Sequence, residues 1–159
     1  MAEKRGGSPE QAFDRALKFL SYRSRSEAEV RAKLSQLGFP HKSVDATLER
    51  LRSLNLLNDE VFARGWAQGR AEGRGYGPLR IERELRQKGI AKSVVSQVIR
   101  ETFGQLEGKE RARTLLEKRF RGKDLGDRKV LYRAMSFLQR RGYRSSVIAA
   151  VLKQPLEDD

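Results

Sequence analysis

The chain has 159 residues, of which 34 are Lys or Arg and 21 are Asp or Glu, giving a formal net charge of +13. It contains no cysteine and one histidine, His41, which excludes cysteine-ligated metals and leaves little for a catalytic centre. No apolar run is long enough to cross a membrane, and residues 1–8 lack the apolar stretch of a signal peptide. We therefore expect a cytoplasmic non-enzyme without metal or cofactor, whose positive charge favours an anionic partner.

A short pattern of the form Leu-x-x-x-Gly-apolar occurs three times. It lies at Leu34–Phe39, Leu85–Ile90 and Leu138–Tyr143, so that its glycines are 51 and 53 residues apart. A Ser-Val pair follows each copy within a few residues. Three copies at a nearly constant period predict tandem structural units.

Helix-capping signals divide each unit into three helices. Ser8 with Gln11, and Ser26 with Glu29, form capping boxes that begin the first two helices, and Gly38 is expected to end the second in a left-handed conformation. In the second unit Asn58 is predicted to cap a helix whose first residues are acidic. The apolar positions expected to face the cores are Phe13, Leu17, Leu20, Val30, Leu34, Leu37, Val44, Leu48, Leu51, Phe62, Trp66, Leu79, Ile81, Leu85, Val94, Val95, Val98, Ile99, Ala112, Leu115, Leu116, Phe120, Val130, Leu131, Met135, Leu138, Val147, Ile148, Val151 and Leu152.

The predicted fold is all-α, with three tandem three-helix repeats that form an elongated, curved molecule. No segment shows the sustained alternation of a strand. The expected boundaries are a flexible N-terminal tail at 1–8, repeats at 9–57, 58–106 and 107–155, and an acidic C-terminal tail at 156–159. No apolar helix face is left over for a partner, which favours a monomer.

The segment from Gly69 to Gly77 contains four glycines and the cations Arg70 and Arg74. It lacks the Gly-Lys-Ser/Thr of a phosphate-binding loop, and its glycines disfavour a continuous helix. It is either a flexible connection between helices or a basic loop that, with Arg80, contacts phosphates or an acidic partner.

Several other residues also allow two interpretations. Arg23 and Arg25 either lie in a simple turn or hold an anion beside a helix start. Trp66 is either a core residue or a platform for base stacking. His41 is expected at the surface, and Asp59 with its acidic neighbour is expected to serve the helix start rather than a metal.

The last third of the chain carries most of the excess charge. Residues 109–144 include 13 basic and four acidic residues, a net charge of +9. This imbalance favours contact with an anionic surface. No helix carries a base-reading motif, so contact with nucleic acid would be independent of sequence and strongly dependent on salt.

Four segments, taken in order, resemble the bacterial RecX regulatory proteins, and the match spans roughly residues 12–152. The segments are Arg23-x-Arg25-Ser26-x-x-Glu29-Val30-x-x-Lys33-Leu34, Asp59-Glu60-x-Phe62-Ala63-x-x-Trp66 followed by Arg70, Gly77-Pro78-Leu79-Arg80-Ile81-x-x-Glu84-Leu85-x-x-Lys88-Gly89-Ile90, and Phe137-Leu138-x-Arg140-Arg141-Gly142-Tyr143 continuing to Ile148-x-x-Val151-Leu152. The family usually has Leu at the position of Val30 and often Phe at that of Tyr143.

The resemblance implies a function that composition alone does not. RecX-like proteins are strings of three-helix repeats that bind the RecA recombinase and its filament on single-stranded DNA. They restrain its recombinase, ATPase and co-protease activities and so moderate recombination and the SOS response, and they are not enzymes. The alternative, based on charge alone, is a sequence-nonspecific basic nucleic-acid-binding protein.

The candidate contacts with RecA or DNA are cations of the matching segments and of the basic last unit. They are Arg23, Arg25, Arg70, Arg74, Arg80, Lys88, Lys118, Arg119, Arg121, Lys129, Arg133, Arg140, Arg141 and Arg144. Direct contact with single- or double-stranded DNA is possible for this set.

Overall fold

The computed structural model describes the backbone of residues 7–157 and the side chains of residues 7–153. Within this range the chain forms nine helices and no strand, which confirms the all-α prediction. They are α1 (Pro9–Tyr22), α2 (Glu27–Gln36), α3 (His41–Ser53), α4 (Asp59–Arg74), α5 (Pro78–Gln87), α6 (Lys92–Phe103), α7 (Lys109–Arg119), α8 (Arg128–Arg141) and α9 (Ser145–Glu157). Of the predicted tails, residues 1–6 and 158–159 lie outside the described range.

The helix starts are fixed by the caps that the sequence predicts. The Gln11 amide donates to Ser8 Oγ at 3.2 Å, and the Glu29 amide donates to Ser26 Oγ at 3.2 Å. Both capping boxes are complete, since each third-position side chain also accepts from the cap amide. Asn58 accepts from two amides at the start of α4.

The repeated leucine-glycine pattern ends the middle helix of every unit. Its glycines have positive φ angles, and the apolar residue after each glycine donates its amide to the leucine carbonyl. This is the Schellman arrangement, which satisfies carbonyls left open at a helix end. The φ angles are 88° at Gly38, 76° at Gly89 and 97° at Gly142, and the bonds are Phe39 to Leu34 at 3.2 Å, Ile90 to Leu85 at 3.1 Å and Tyr143 to Leu138 at 3.2 Å.

Each unit encloses a core of its own. α1 to α3, α4 to α6 and α7 to α9 each surround a separate apolar cluster. Most of the predicted core residues are buried, but Leu17, Leu37, Leu79 and Met135 are 37–45% exposed. In α1 the fully buried side chains are Ala12 and Ala16. These small residues occupy the buried face of α1, which packs against α3, and Leu17 is directed towards solvent.

The glycine-rich segment is helical over much of its length, which corrects the prediction of a flexible connection. α4 continues through Gly69 and Gly73 to Arg74. On its exposed face Gly65, Gly69 and Gly73 have open space around them, while Phe62, Ala63, Ala67 and Ala71 are buried on the opposite face. Burial of that face outweighs a glycine penalty of about 1 kcal/mol per residue.

Neighbouring units meet through their middle helices. The start of α2 lies against the end of α5, where Ser26 Oγ donates to the Lys88 carbonyl at 2.7 Å. The start of α5 meets the end of α8 in the same way, with the Gly77 amide 2.6 Å from the Arg141 carbonyl. Each contact brings a positive helix N-terminus to a negative C-terminus, which is electrostatically favourable.

The three units form a row. Hydrogen bonds and ion pairs between units join the first to the second and the second to the third, whereas none joins the first to the third among the described residues. This arrangement confirms the predicted tandem repeats. None of the helices in the described range is long and apolar enough to cross a membrane.

Candidate interaction surfaces

The fourteen predicted contact cations lie in three places. Arg23, Arg25, Arg70 and Lys88 surround the junction of the first and second units. Arg74, Arg80, Arg140 and Arg141 lie at the junction of the second and third. The remaining six, Lys118, Arg119, Arg121, Lys129, Arg133 and Arg144, are on the exposed surface of the third unit.

At the first junction, cations pack around the half-buried ring of Trp66. The Arg70 guanidinium carbon lies 4.2 Å from the ring centroid, Lys88 Nζ 5.0 Å and Arg23 6.0 Å. The indole N–H donates to Glu84 at 3.3 Å. Trp66 is therefore only partly a core residue, because these side chains cover the rest of its ring through cation–π contacts.

Glu29 joins two of these cations, Arg23 and Lys88, into one network. Its carboxylate lies 2.5 Å from Arg23 and 3.3 Å from Lys88, and also accepts from the Ser26 amide at 3.1 Å. Burial alone would raise the pKa of Glu29. The hydrogen bonds from Ser26 and Arg23 and the charge of Lys88 outweigh it, so its pKa lies below the ordinary value.

Replacing Glu29 with Gln is expected to reduce the free energy of unfolding near neutral pH by about 1–3 kcal/mol, because its partners lose a charged acceptor. A carboxylate with a lowered folded-state pKa stabilises the fold above its unfolded-state pKa, and this contribution disappears as the pH falls through the folded-state value. Thermal midpoints between neutral pH and pH ~3, spanning the ordinary carboxylate range, should therefore fall less steeply in E29Q. The matched control is E49Q, because the exposed carboxylate of Glu49 has no ion-pair partner among the described side chains. An identical fall of the thermal midpoint with pH in the wild type, E29Q and E49Q would contradict the stabilising role of Glu29.

Arg25 has a packing role. Its guanidinium lies 4.0 Å from the centroid of Phe19, its side chain is 16% exposed, and burial lowers its pKa. Nearby, Asp59 accepts from the Glu27 amide at 2.8 Å, so it supports the start of α2 across the junction. Contact of Arg25 with a partner remains a prediction.

At the second junction, two of the predicted cations hold the units together. Arg80 stacks 3.7 Å from the centroid of Tyr76 and donates to the Arg140 carbonyl at 3.2 Å. Arg141 donates to the Arg74 carbonyl at 2.5 Å. Of the three cations predicted to form a basic loop, Arg70 and Arg80 therefore make contacts within the protein. Arg74 is exposed beside a groove.

An open groove of about 1510 Å³ lies between the second and third units. Six cations and two carboxylates are among its lining side chains: Arg74, Lys109, Arg111, Lys118, Arg119 and Arg141 against Glu72 and Glu110. Lys109 and Arg111 were absent from the predicted contact set. Both lie on the same helix as Lys118, and this shared position in the sequence is what could have indicated them as contact residues.

Ion pairing differs sharply between the units. Nine of the ten ion pairs within the described side chains belong to the first two units or their junction, including one that requires protonated His41. The tenth joins Arg144 to Glu107 at 3.4 Å. The other cations of residues 109–144 have no carboxylate within 4 Å among the described side chains, so the third unit presents uncompensated positive charge.

Comparison with protein-family models gives three matches in chain order. They are described as the first, second and third three-helix domains of RecX, and they match residues 12–51, 58–99 and 107–152. These matched segments correspond to the three units of the structure.

Individual proteins agree. The chain is 34% identical to a regulatory protein RecX of Halorhodospira halophila over 97% of this chain and 94% of the relative. It is 32% identical to a regulatory protein RecX of Trichlorobacter lovleyi over 92% and 96%, respectively. The crystal structure of RecX from Lactobacillus salivarius shares the fold, with a TM-score of 0.79, 23% identity and coverage of 92% of this chain and 95% of that one.

Proposed function

Because the chain belongs to the RecX family of regulatory proteins, we propose that it binds RecA and its filament on single-stranded DNA and inhibits the recombinase, ATPase and co-protease activities. In this role it moderates recombination and the SOS response. It acts in the cytoplasm as a monomer, without a cofactor or a catalytic site of its own.

The observation that carries this proposal is the uncompensated charge of the third unit. Cations already neutralised in internal ion pairs attract a further anionic partner only weakly. Cations without such a pair can neutralise an acidic protein surface or DNA phosphates. The groove between the second and third units gathers several of these cations on one side of the row. The phosphates of the single strand, and any acidic surface of RecA, are the anionic groups that this proposal requires.

The row of units supports a mechanism based on many weak contacts. A long, helical strip can lie in the groove of a filament and touch neighbouring RecA protomers at once. Once one unit is bound, the next is held at high effective concentration, so modest contacts add up to tight binding. Such a strip would block entry of duplex DNA or the conformational change coupled to ATP turnover.

The test is a titration of this protein into the single-stranded-DNA-dependent ATPase of RecA, alongside its binding to the same DNA without RecA. We expect inhibition at concentrations well below that of RecA, with much weaker binding to bare DNA. The alternative function, sequence-nonspecific nucleic-acid binding, is favoured by the same unpaired cations. It predicts inhibition only once the DNA itself is coated, with a steep salt dependence.

A further inference from the structure

The exposed face of α8 carries an aromatic ring that the fold does not use. Val130, Ala134 and Leu138 are buried on one side of this helix. Tyr132 lies on the opposite side and is 72% exposed. Among the described residues, its ring takes part in no aromatic pair and no cation–π contact, and its hydroxyl makes no hydrogen bond.

Two cations lie one helical turn from this ring. Residues three and four apart are neighbours on a helix, which places Arg128 and Lys129 one turn before Tyr132 and Met135 one turn after it. Arg133 is the next residue in sequence and lies further around the helix, on its exposed surface. Met135 is also 45% exposed. α8 contains five cations and no acid. The carboxylates nearest in sequence, Asp124 and Asp127, accept from the backbone amides of Gly126 and Lys129.

Isolated exposed apolar residues are common on protein surfaces and need no explanation. Tyr132 differs because it stands among charges that no described carboxylate compensates. An acidic protein surface would pair with these cations, but its carboxylates would be repelled by the negative face of the ring. Duplex DNA offers phosphates, but its bases are stacked on each other and present no free face. A single strand offers both phosphates and unstacked bases, the combination that aromatic-and-cation surfaces bind.

We infer that the exposed face of α8 binds single-stranded nucleic acid, with a base stacked on Tyr132 and phosphates contacted by Arg128, Lys129 and Arg133. This inference deepens the proposed function, since it states which component of the nucleoprotein filament this helix meets. The inference rests on the proposed function only for its biological context, because binding of the protein to a single strand can be measured without RecA.

The experiment measures binding of the full-length protein at low salt to two fluorescein-labelled probes. One is an oligothymidine, and the other is an abasic deoxyribose-phosphate strand of equal length. We expect Y132A to bind the oligothymidine about tenfold more weakly, the effect of losing one stacked base, and to bind the abasic strand almost unchanged. Y132F keeps the ring and should bind both probes as the wild type does.

Tyr22 provides the matched control. It is also 72% exposed, but it ends α1 next to Arg23, whose charge is engaged by Glu29. We expect Y22A to bind both probes like the wild type. Tyr132 is 72% exposed, so its replacement should leave the fold intact. Equal thermal midpoints for the wild type and the two alanine variants would confirm that both variants are folded.

Three results would overturn the inference. Unchanged oligothymidine binding by Y132A would mean that no base stacks on the ring. An equal loss on both probes would mean that Tyr132 acts on the backbone contacts alone. If Y132A instead weakens binding to RecA in the absence of DNA, this face is a protein contact. Inhibition of the RecA ATPase by the wild type is a separate measurement. The inference can therefore fail while the proposed function stands, and the proposed function can fail while the inference stands.

Discussion

Replacing Gly142 with Ala is expected to lower the free energy of unfolding by about 2–5 kcal/mol, the sum of a left-handed backbone penalty and a steric one. Gly142 has a φ of 97°. An added Cβ would lie 2.6 Å from the backbone nitrogen and 3.1 Å from the Cα of Arg80, in the second unit. Because these are backbone atoms, a side-chain rotation cannot relieve the clash. The change should therefore separate the second and third units.

Gly122 is the matched control for the backbone penalty. Its φ is 74°, and no heavy atom lies within 4 Å of the position of its Cβ. G122A should therefore cost only about 1–2 kcal/mol. Denaturant titrations of both variants measure the difference, which isolates the contact between the units. Equal losses of unfolding free energy for G142A and G122A would show that the backbones of Gly142 and Arg80 are not in close contact in solution.

The same junction explains Gly77, the last of the four glycines between Gly69 and Gly77. The amides of Gly77 and Leu79 donate to the carbonyls of Arg141 and Gly142 at 2.6 and 2.9 Å. A Cβ on Gly77 would lie 2.7 Å from the Gly142 oxygen. These positions need glycine because two backbones meet there, a requirement set by a residue more than 60 positions away. Neither a phosphate-binding loop nor flexibility is needed to account for Gly77.

Features encoded by neighbouring residues were predictable. The capping boxes at Ser8 and Ser26 and the helix ends at Gly38, Gly89 and Gly142 depend on interactions within about six residues, and all are present in the structure. Their near-constant spacing also predicted the three-unit fold. Local patterns are informative here because each unit closes a core of its own.

The distribution of ion pairs was not predictable in the same way. The two roles of Arg23 could not be assigned from its turn. Glu29, six residues away in the same unit, pairs with its charge, and Trp66 of the second unit contacts it only when the first two units pack together. Composition did indicate that residues 109–144 carry a net charge of +9. That their cations lack carboxylate partners among the described side chains is a property of the folded arrangement.

The variant expected to affect function most replaces Lys118, Arg119 and Arg121 with Gln. All three side chains are exposed, and no described carboxylate pairs with them. At about 0.5–1 kcal/mol for each lost exposed charge contact, half-inhibition of the RecA ATPase should require roughly tenfold or more protein. Arg141 and Arg144 are less suitable targets, because one holds the Arg74 carbonyl and the other pairs with Glu107.

The control variant replaces Arg15, Lys18 and Lys42 with Gln. These cations of the first unit are exposed and unpaired within the described side chains, so both triple variants reduce the net charge of +13 by the same three units. If the third unit is the contact surface, only its own variant loses inhibition, and the salt dependence of binding becomes less steep. Equal losses from both variants would instead indicate attraction by overall charge, as expected for a nonspecific nucleic-acid-binding protein. Full inhibition by a folded third-unit variant would exclude these three cations from the contact.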